Sequence, residues 1–341
     1  MSLLCSENAS AEDYERLFGQ AVILFYDKIE KGEATWVPRE VRCGHTVYKR
    51  TERLGQGSYG IVFAFETREV DPLIRRFCIK SADTPEEAEA VAALQAVLPD
   101  RLGWAVLSSA RGVHVAMPLF DGTLADVEPR SLEDVFTIIG NVCDLLCPLW
   151  ESGFMYMDIK PSNILVSSCG KYARVRLHLG DLGSVRNVRW PGAARYSRTY
   201  EAPEHVVGLP EQRDALWSIG ITLLMFVRAP EELLEAAKAT GKGGGAARAA
   251  TMKSLLYGLA EEDLGCDVLR APPCAWLKQA VVIFMGTDSV LPESSSIREA
   301  GRQLHELRKD VQRATAKRRA EEAELLAQQP RGGFFSKFRR K

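Results

Sequence analysis

Tyr156-Met157-Asp158-Ile159-Lys160-Pro161-Ser162-Asn163-Ile164-Leu165-Val166 is the most specific stretch of the chain. An acid, a lysine two residues on and an asparagine five residues on stand just ahead of an apolar run suited to a short strand. A carboxylate can accept a proton from an attacking hydroxyl, an ammonium can neutralise charge on a transferring phosphoryl group, and an amide oxygen can hold a metal ion. Asp158, Lys160 and Asn163 are therefore candidates for one site. Upstream, apolar side chains at 132, 135, 136, 139, 142, 146 and 149 form a helical stripe over 132–151. Ser131 with Asp134 loosely resembles a capping box at its start. Downstream, Ile164–Val166 and Val175–Leu179 read as strands. The second ends in Gly180-Asp181-Leu182-Gly183, where an acid can reach a divalent cation bridging phosphates. Taken alone, Asp181 reads first as a plain acid in a turn.

Further upstream, Leu54-Gly55-Gln56-Gly57-Ser58-Tyr59-Gly60-Ile61-Val62 places a glycine-rich turn between two strand-like runs covering Thr46 to Glu66. Glycine lets a backbone approach a polyphosphate and point N–H groups at it. A dinucleotide fold would open a helix at the third glycine, whereas here β-rich Ile61-Val62-Phe63-Ala64-Phe65 follows. The strand-turn-strand context points to a phosphate flap. A third apolar run, Ile74 to Ile79, ends at Lys80. Asp83-Thr84-Pro85-Glu86-Glu87 then opens a helix reaching about Val97, with acids at the positive end of its dipole. Trp104–Ser108 and Val113–Leu119 read as two more strands. Residues 11–31 read as an amphipathic helix, so 1–45 is expected to be a helical extension.

The second half reads mainly as helix: 215–227, 230–239, 252–260, 275–285 and 296 to about 328. A loop is expected over 240–250. A sheet-rich half followed by a helix-rich half is an α+β plan.

Composition narrows the class. The 341 residues carry a net charge of −1, with 46% hydrophobic and 26% charged residues, which excludes collagen, wholesale disorder and a small disulfide scaffold. The longest apolar stretch, Ile219 to Val227, falls well short of the roughly 20 residues of a spanning helix. The opening MSLLCSENAS has no basic, apolar leader pattern. Eight scattered cysteines without a C-x-x-C pair then suit a reduced, intracellular compartment, cytoplasmic or nuclear. Charge is uneven: residues 303–341 carry +6 and the remainder −7.

In this order the motifs resemble those of a eukaryotic-type protein kinase of the serine/threonine class, across roughly residues 46–305. They are the glycine-rich loop, strand lysine, D-I-K-P-S-N-I-L, D-L-G in place of the usual D-F-G, A-P-E at 202–204 and W-S-I-G at 217–220. The compact, irregular motifs also resemble, more weakly, divergent kinases of large DNA viruses. The resemblance implies a two-lobe fold, an N-lobe at 46–116 and a C-lobe at 122–305, followed by a charged helix and basic tail at 306–341. It implies ATP and Mg2+ as cofactors and protein substrates as partners. Gly55, Gln56, Gly57, Ser58, Gly60 and Val62 would cover the nucleotide. Lys80 would bind the α/β-phosphates, paired with Glu86, Glu87 or Glu89, of which Glu89, further inside the helix, is preferred. Val115–Leu119 would form the hinge, with Ala116 as the small residue guarding the back pocket and Leu119 against adenine. Asp158 would orient the substrate hydroxyl, Lys160 would approach the γ-phosphate, and Asn163 and Asp181 would hold magnesium. Ser197 would bond Lys160 and Asp158.

Several departures carry consequences. Tyr156-Met157 replaces the usual His-Arg before the catalytic Asp, which removes the cation that pairs with a phosphate on the activation segment. Activity independent of such phosphorylation is expected. Ala215 stands where the family places the Asp that ties down the catalytic loop, so either Tyr156 or Asp214 takes over that task. These departures also fit a rival reading, a pseudokinase that acts as a nucleotide-binding or interaction scaffold. The A-P-E and W-S-I-G elements count against a small-molecule kinase. Arg186, Arg189, Arg195 and Arg198 would favour acidic or phosphorylated substrates, or would simply form a solvated basic loop. Arg298 is a candidate partner for Glu204. Leu304, Leu307, Val311 and Ala314 give the last helix an apolar stripe that fades after its first half. The end, Arg331 to Lys341, has five basic residues and three phenylalanines. It suits an anionic membrane surface, a partner protein, an import receptor or plain disorder. Nothing points to nucleic acid.

Overall fold

Strand alternation organises the N-terminal half. A computed structural model of the chain describes residues 9–31, 33–57, 60–69, 72–82, 86–97, 103–109, 111–129, 131–169, 174–189, 212–226, 296–328 and six helical residues between 276 and 284. Seven antiparallel strands form one sheet: β1 (Ala21–Lys31), β2 (Glu33–Cys43), β3 (Thr46–Gly57), β4 (Gly60–Glu66), β5 (Arg76–Ala82), β6 (Ala105–Ser109) and β7 (Gly112–Pro118). Their order is β1-β2-β3-β4-β5-β7-β6. Successive residues face opposite sides of a sheet. Phe77, Ile79 and Ala116 therefore enter a core with Tyr14, Phe18, Val41, Tyr48 and Phe65. Cys78, Val115 and Met117 enter a second core, which is continuous with the helical half.

The N-terminal segment corrects the expectation of a helix over 11–31. Only Ala11–Phe18 is helical (α1), with Ser10 and Asp13 forming a reciprocal cap. Gly19-Gln20 ends it, and Val22-Ile23-Leu24-Phe25-Tyr26, rich in β-branched and aromatic residues, becomes β1 paired along its length with β2. Apolar residues in such a run satisfy helical and strand periods alike, so pairing with a neighbour decides. Residues up to 45 thus include two strands of the main sheet. Pro38 lies next to the register shift between Phe25 and Tyr26, where a missing N–H is tolerated.

Helix α2 (Glu86–Val97) packs Ala90, Val91 and Leu94 beneath the sheet. The chain then leaves β7 for β8 (Gly122–Thr123), which pairs with β10 (Ile164–Cys169) beside β11 (Arg174–Leu179). Helix α3 (Leu132–Glu151) matches the expected bounds, and Ser131 Oγ accepts from the Asp134 N–H at 3.0 Å. Helix α4 (Gln212–Phe226) is buried from Asp214 to Leu224, as befits a helix apolar on nearly every face. Helix α5 (Ile297–Gln328) lays Ala300, Leu304, Leu307 and Val311 into the core, and its charged second half is exposed. Gly301 permits this contact, because a Cβ there would stand 3.1 Å from Cys143 Cβ. The expected elements at 230–239, 252–260 and 240–250, the A-P-E segment, Ser197, Arg195, Arg198 and the tail beyond 328 lie outside the described residues. No helix among the described residues is long and apolar enough to cross a membrane.

Burial pushes the Cys43 and Cys78 thiols up to about 12 and Cys143 higher still, so all three are protonated packing groups. Two histidines respond to pH instead. Burial lowers His114 to about 4, and burial with nearby Arg176 lowers His178 to about 4. Their neutral forms are favoured in the folded state, so their contribution is complete above pH 6.5. It is lost as the unfolded chain takes up protons between pH 6.5 and 4, at up to about 3 kcal/mol each. Urea midpoints should fall over that window, and a His114→Leu/His178→Leu double variant should show a flatter profile.

Candidate active site

The β3–β4 hairpin sets Gly55 opposite Val62, Gln56 opposite Ile61 and Gly57 opposite Gly60. Gly60 has φ 144°, a conformation that glycine adopts without penalty. A Cβ on Gly55 would meet nothing within 4 Å, so the backbone there is open to a ligand. The Gln56 amide oxygen accepts from Arg53 at 2.9 Å. Ser58, at the turn, lies outside the described residues. One strand further, Val62 pairs with Lys80, and Lys80 with Val115, so three side chains line up on one face of the sheet.

Lys80 is buried, and its ammonium lies 2.6 Å from Glu87 Oε2 and 2.7 Å from Asp181 Oδ1. Burial disfavours the charge, but the two carboxylates outweigh it and hold the lysine pKa above its ordinary value. The partner is therefore Glu87, and the preference for Glu89 is corrected. Glu89 is exposed. Two residues along a helix turn a side chain through about 200°, so only one of the two can face the sheet, and α2 presents Glu87. The Leu182 N–H also lies near the Glu87 carboxylate.

Ala116 is corrected on the same geometric ground. It opposes Ile79 in the register and enters the core on the face away from Lys80. Met117, opposite Cys78, occupies the Lys80 face, and the Cys78 thiol donates to the Pro118 carbonyl at 3.3 Å. Leu119 is partly buried against the same core.

Asp158 is buried at the end of β9 (Phe154–Tyr156), itself paired with β12 (Val185–Asn187). Lys160 Nζ lies 2.7 Å from Asp158 Oδ2, and Asn163 Nδ2 donates to the same oxygen at 2.8 Å and to the Asp158 carbonyl at 3.1 Å. The Asn163 amide is thereby oriented with its oxygen directed away. Asp181 follows in the left-handed conformation, φ 48°, the sole non-glycine with positive φ among the described residues. Such strain costs energy and marks an over-determined turn. Gly180, just before it, donates to the Asn163 carbonyl at 2.7 Å. A Cβ on Gly180 would stand 3.0 Å from that carbonyl and 3.1 Å from Leu165 Cγ. Gly180→Ala is therefore expected to cost about 1–3 kcal/mol of stability by overpacking, measurable by urea unfolding.

Tyr156 is fully buried behind this loop, and its hydroxyl donates to the Gly180 carbonyl at 2.5 Å. Asn163 meets the same hydroxyl. Burial, with Asp181 and Asp158 nearby, holds the phenol pKa well above its ordinary value, so it remains a donor. Met157 is buried too, and its N–H donates to Ser184 O at 3.0 Å. Arg186 donates to the carbonyls of Gly183 and Val185, which commits it to shaping this turn. Arg298 pairs with Glu151, and Glu204 lies outside the described residues.

An amide oxygen on Asn163 and a carboxylate on Asp181 make a hard, all-oxygen donor pair. No group of three or more His, Cys, Asp or Glu able to hold a metal occurs among the described residues. Few protein ligands, with room for phosphate oxygens and water, is the arrangement that suits magnesium. The chemistry of the pair therefore fits that ion.

The glycine hairpin, the Lys80–Glu87 pair, the Asp158–Lys160–Asn163 loop and the left-handed Asp181 are the parts that the resemblance to protein kinases implies. Comparison with known proteins agrees: residues 106–251 match the protein kinase domain family. The chain is 34% identical over 123 residues to GLH-binding kinase 1 of Caenorhabditis elegans, covering 33% of this chain and 30% of that protein. It is 33% identical over 103 residues to dual specificity protein kinase YAK1 of Saccharomyces cerevisiae, covering 29% and 12%. It is 26% identical over 197 residues to cyclin-dependent kinase 20 of Danio rerio, covering 51% and 55%. The chain thus spans between about an eighth and just over half of the length of these relatives. What is similar to protein kinases is thus a part of the chain, centred on residues 106–251.

Proposed function

We propose that the chain is an ATP-dependent protein kinase that transfers the γ-phosphate to serine or threonine hydroxyls of protein substrates. The observation that carries this reading is the meeting of Lys80 with Glu87 on the next helix and with Asp181, 101 residues further on, beside the buried Asp158–Lys160–Asn163 set. Burying a lysine with acids carries a desolvation cost that makes the cluster weak as a device for stability, and such perturbed charged clusters mark candidate functional sites. The sheet and the helical half act as two lobes with the nucleotide between them. Gly55, Gln56, Gly57, Ser58 and Gly60 cover the phosphates, and Val62, Met117 and Leu119 contact the base.

In this scheme Lys80 binds the α/β-phosphates and Glu87 holds it in place. Asp158 receives the hydroxyl proton, and Lys160 balances charge at the γ-phosphate. Asn163 and Asp181 hold magnesium, which when bound neutralises charge on the phosphate oxygens. Lysine two residues after Asp158 favours Ser/Thr over tyrosine acceptors, in keeping with the family resemblance.

The test is transfer from γ-labelled ATP with magnesium to basic, acidic and neutral protein substrates, followed by phosphoamino-acid analysis. Label on serine and threonine, undiminished after the enzyme is treated with phosphatase, is expected. Label on tyrosine alone would overturn the acceptor class. Nucleotide binding without any transfer would favour the scaffold reading, for which Met157 and Ala215 speak.

A further inference from the structure

We propose that the cleft between β1 and β6 is a docking site for an extended segment of a partner protein, basic and apolar in character, which adds as a strand to the free edge of β6. The two strands end the seven-stranded sheet, so each presents a row of backbone groups with no strand beside it among the described residues. The edges approach each other and enclose a cavity of about 780 Å³, the size of a ligand pocket.

The outline of the cavity follows the edges. Five successive residues of β6, Ala105 to Ser109, line it. Ala105 and Leu107 pack into one core and Val106 into the other, so a space that meets all five runs along the edge of the strand and not over either face. Ala21, Val22 and Ile23 of β1 form the opposite wall in the same way. The register shifts on either side of Phe25 bend β1, and such bulges raise the local twist and turn an edge away from a neighbour. The bend accounts for a sheet that comes close to closing on itself and stops short.

The chemistry of the walls selects the occupant. A chain in extended conformation offers donors and acceptors in step with a strand edge. Phe18, Ile23 and Leu107 supply apolar walls, and Val22 stands 49% exposed at the mouth. Glu15 is the one charged side chain among the described lining residues, with Glu12 one turn before it on α1, whereas Arg16 is paired with Asp13. Lysine or arginine on the incoming strand meets an opposite charge here, and an acidic strand is turned away. Helix α1 and β1 precede residues 106–251, the part that matches protein kinases. One wall of the cleft therefore lies outside that match, and the inference does not depend on the proposed activity.

The test is selection of random peptides displayed on phage against the full chain, with counter-selection on a Glu15→Lys/Val22→Arg double variant. Selected peptides are resynthesised and titrated by fluorescence anisotropy against the wild type, each single variant and Leu73→Arg, a control at an exposed apolar side chain elsewhere on the surface. The expected peptides alternate apolar and polar residues and carry lysine or arginine. Glu15→Lys and Val22→Arg should each weaken their binding at least about tenfold, and Leu73→Arg should leave it within about twofold. Methylating the peptide backbone nitrogens one at a time should weaken binding at every second position only, since alternate residues of an added strand turn their N–H groups toward β6. That readout leaves the protein unaltered, so it decides the matter even where a variant folds poorly. Failure to select any peptide that the double variant releases, selection of acidic or proline-rich peptides, or a methylation profile without the alternation would overturn the proposal. A dimer of the wild type alone, dissolved by Val22→Arg in sedimentation, would also overturn it and give the cleft to a second copy of the chain.

Discussion

Asp158→Asn is expected to lower kcat for phosphoryl transfer by about 10²–10⁴-fold, the usual worth of a positioned general base. Nucleotide affinity should remain within about twofold, because Asp158 engages Lys160 and Asn163 rather than the glycine hairpin. The substitution suits the question because it preserves shape. An asparagine oxygen can still accept from Lys160 and from the Asn163 amide, so the loop keeps its bonds while the negative charge and the proton acceptor disappear. Steady-state kinetics beside calorimetric nucleotide binding separates the two effects. Activity within about tenfold of wild type would remove Asp158 from the proton-accepting role. Equal loss of binding and turnover would point to collapse of the loop instead.

Glu87→Gln is expected to lower kcat/KM by about a hundredfold, whereas Glu89→Gln should stay within about twofold of wild type. Breaking one partner out of a buried ion pair costs about 3–5 kcal/mol because a charge is left uncompensated. Here Asp181 still faces Lys80 at 2.7 Å, which keeps the loss toward the lower end. That remaining contact has a consequence of its own: Lys80 would be drawn toward Asp181 and away from the phosphates, so KM for ATP should rise with the fall in kcat. Glu89 is exposed and its charge is screened by solvent. Kinetics on the two single variants, with unfolding curves to exclude gross destabilisation, is sufficient. If Glu89→Gln were the damaging change, α2 would have to rotate by about half a turn during catalysis.

The two corrections at the site share a physical origin. Choosing between Glu87 and Glu89 requires the rotational phase of α2 against the sheet, and that phase is set by Ala90, Val91 and Leu94 packing beneath it. A first-turn position spoke against Glu87 as a mere dipole partner, yet the first turn is where this helix meets the D-L-G turn. Choosing between Ala116 and Met117 requires the parity of β7 relative to β5. One residue of register flips every side chain to the other face, and the pairing of Cys78 with Met117 decides it. The mistaken helix over 11–31 has a similar source, since β1 is a strand because β2 is there to pair with it.

What was legible in the sequence was local. Asp158, Lys160 and Asn163 fall within six positions, so the backbone alone brings them together, and glycines at 55, 57 and 60 announce a tight hairpin whatever surrounds it. Helix α3 was readable because its apolar stripe is long enough to leave one period; the α5 stripe, read as Leu304, Leu307, Val311 and Ala314, is buried as far as Val311 and half-buried at Ala314. Tertiary structure decided everything that depends on two distant segments meeting: Lys80 with Asp181, Glu87 rather than Glu89, Met117 rather than Ala116, and the Tyr156 hydroxyl on the Gly180 carbonyl. Sequence patterns record which face of an element is apolar, but the rotation, register and approach of one element against another come from packing across the whole core.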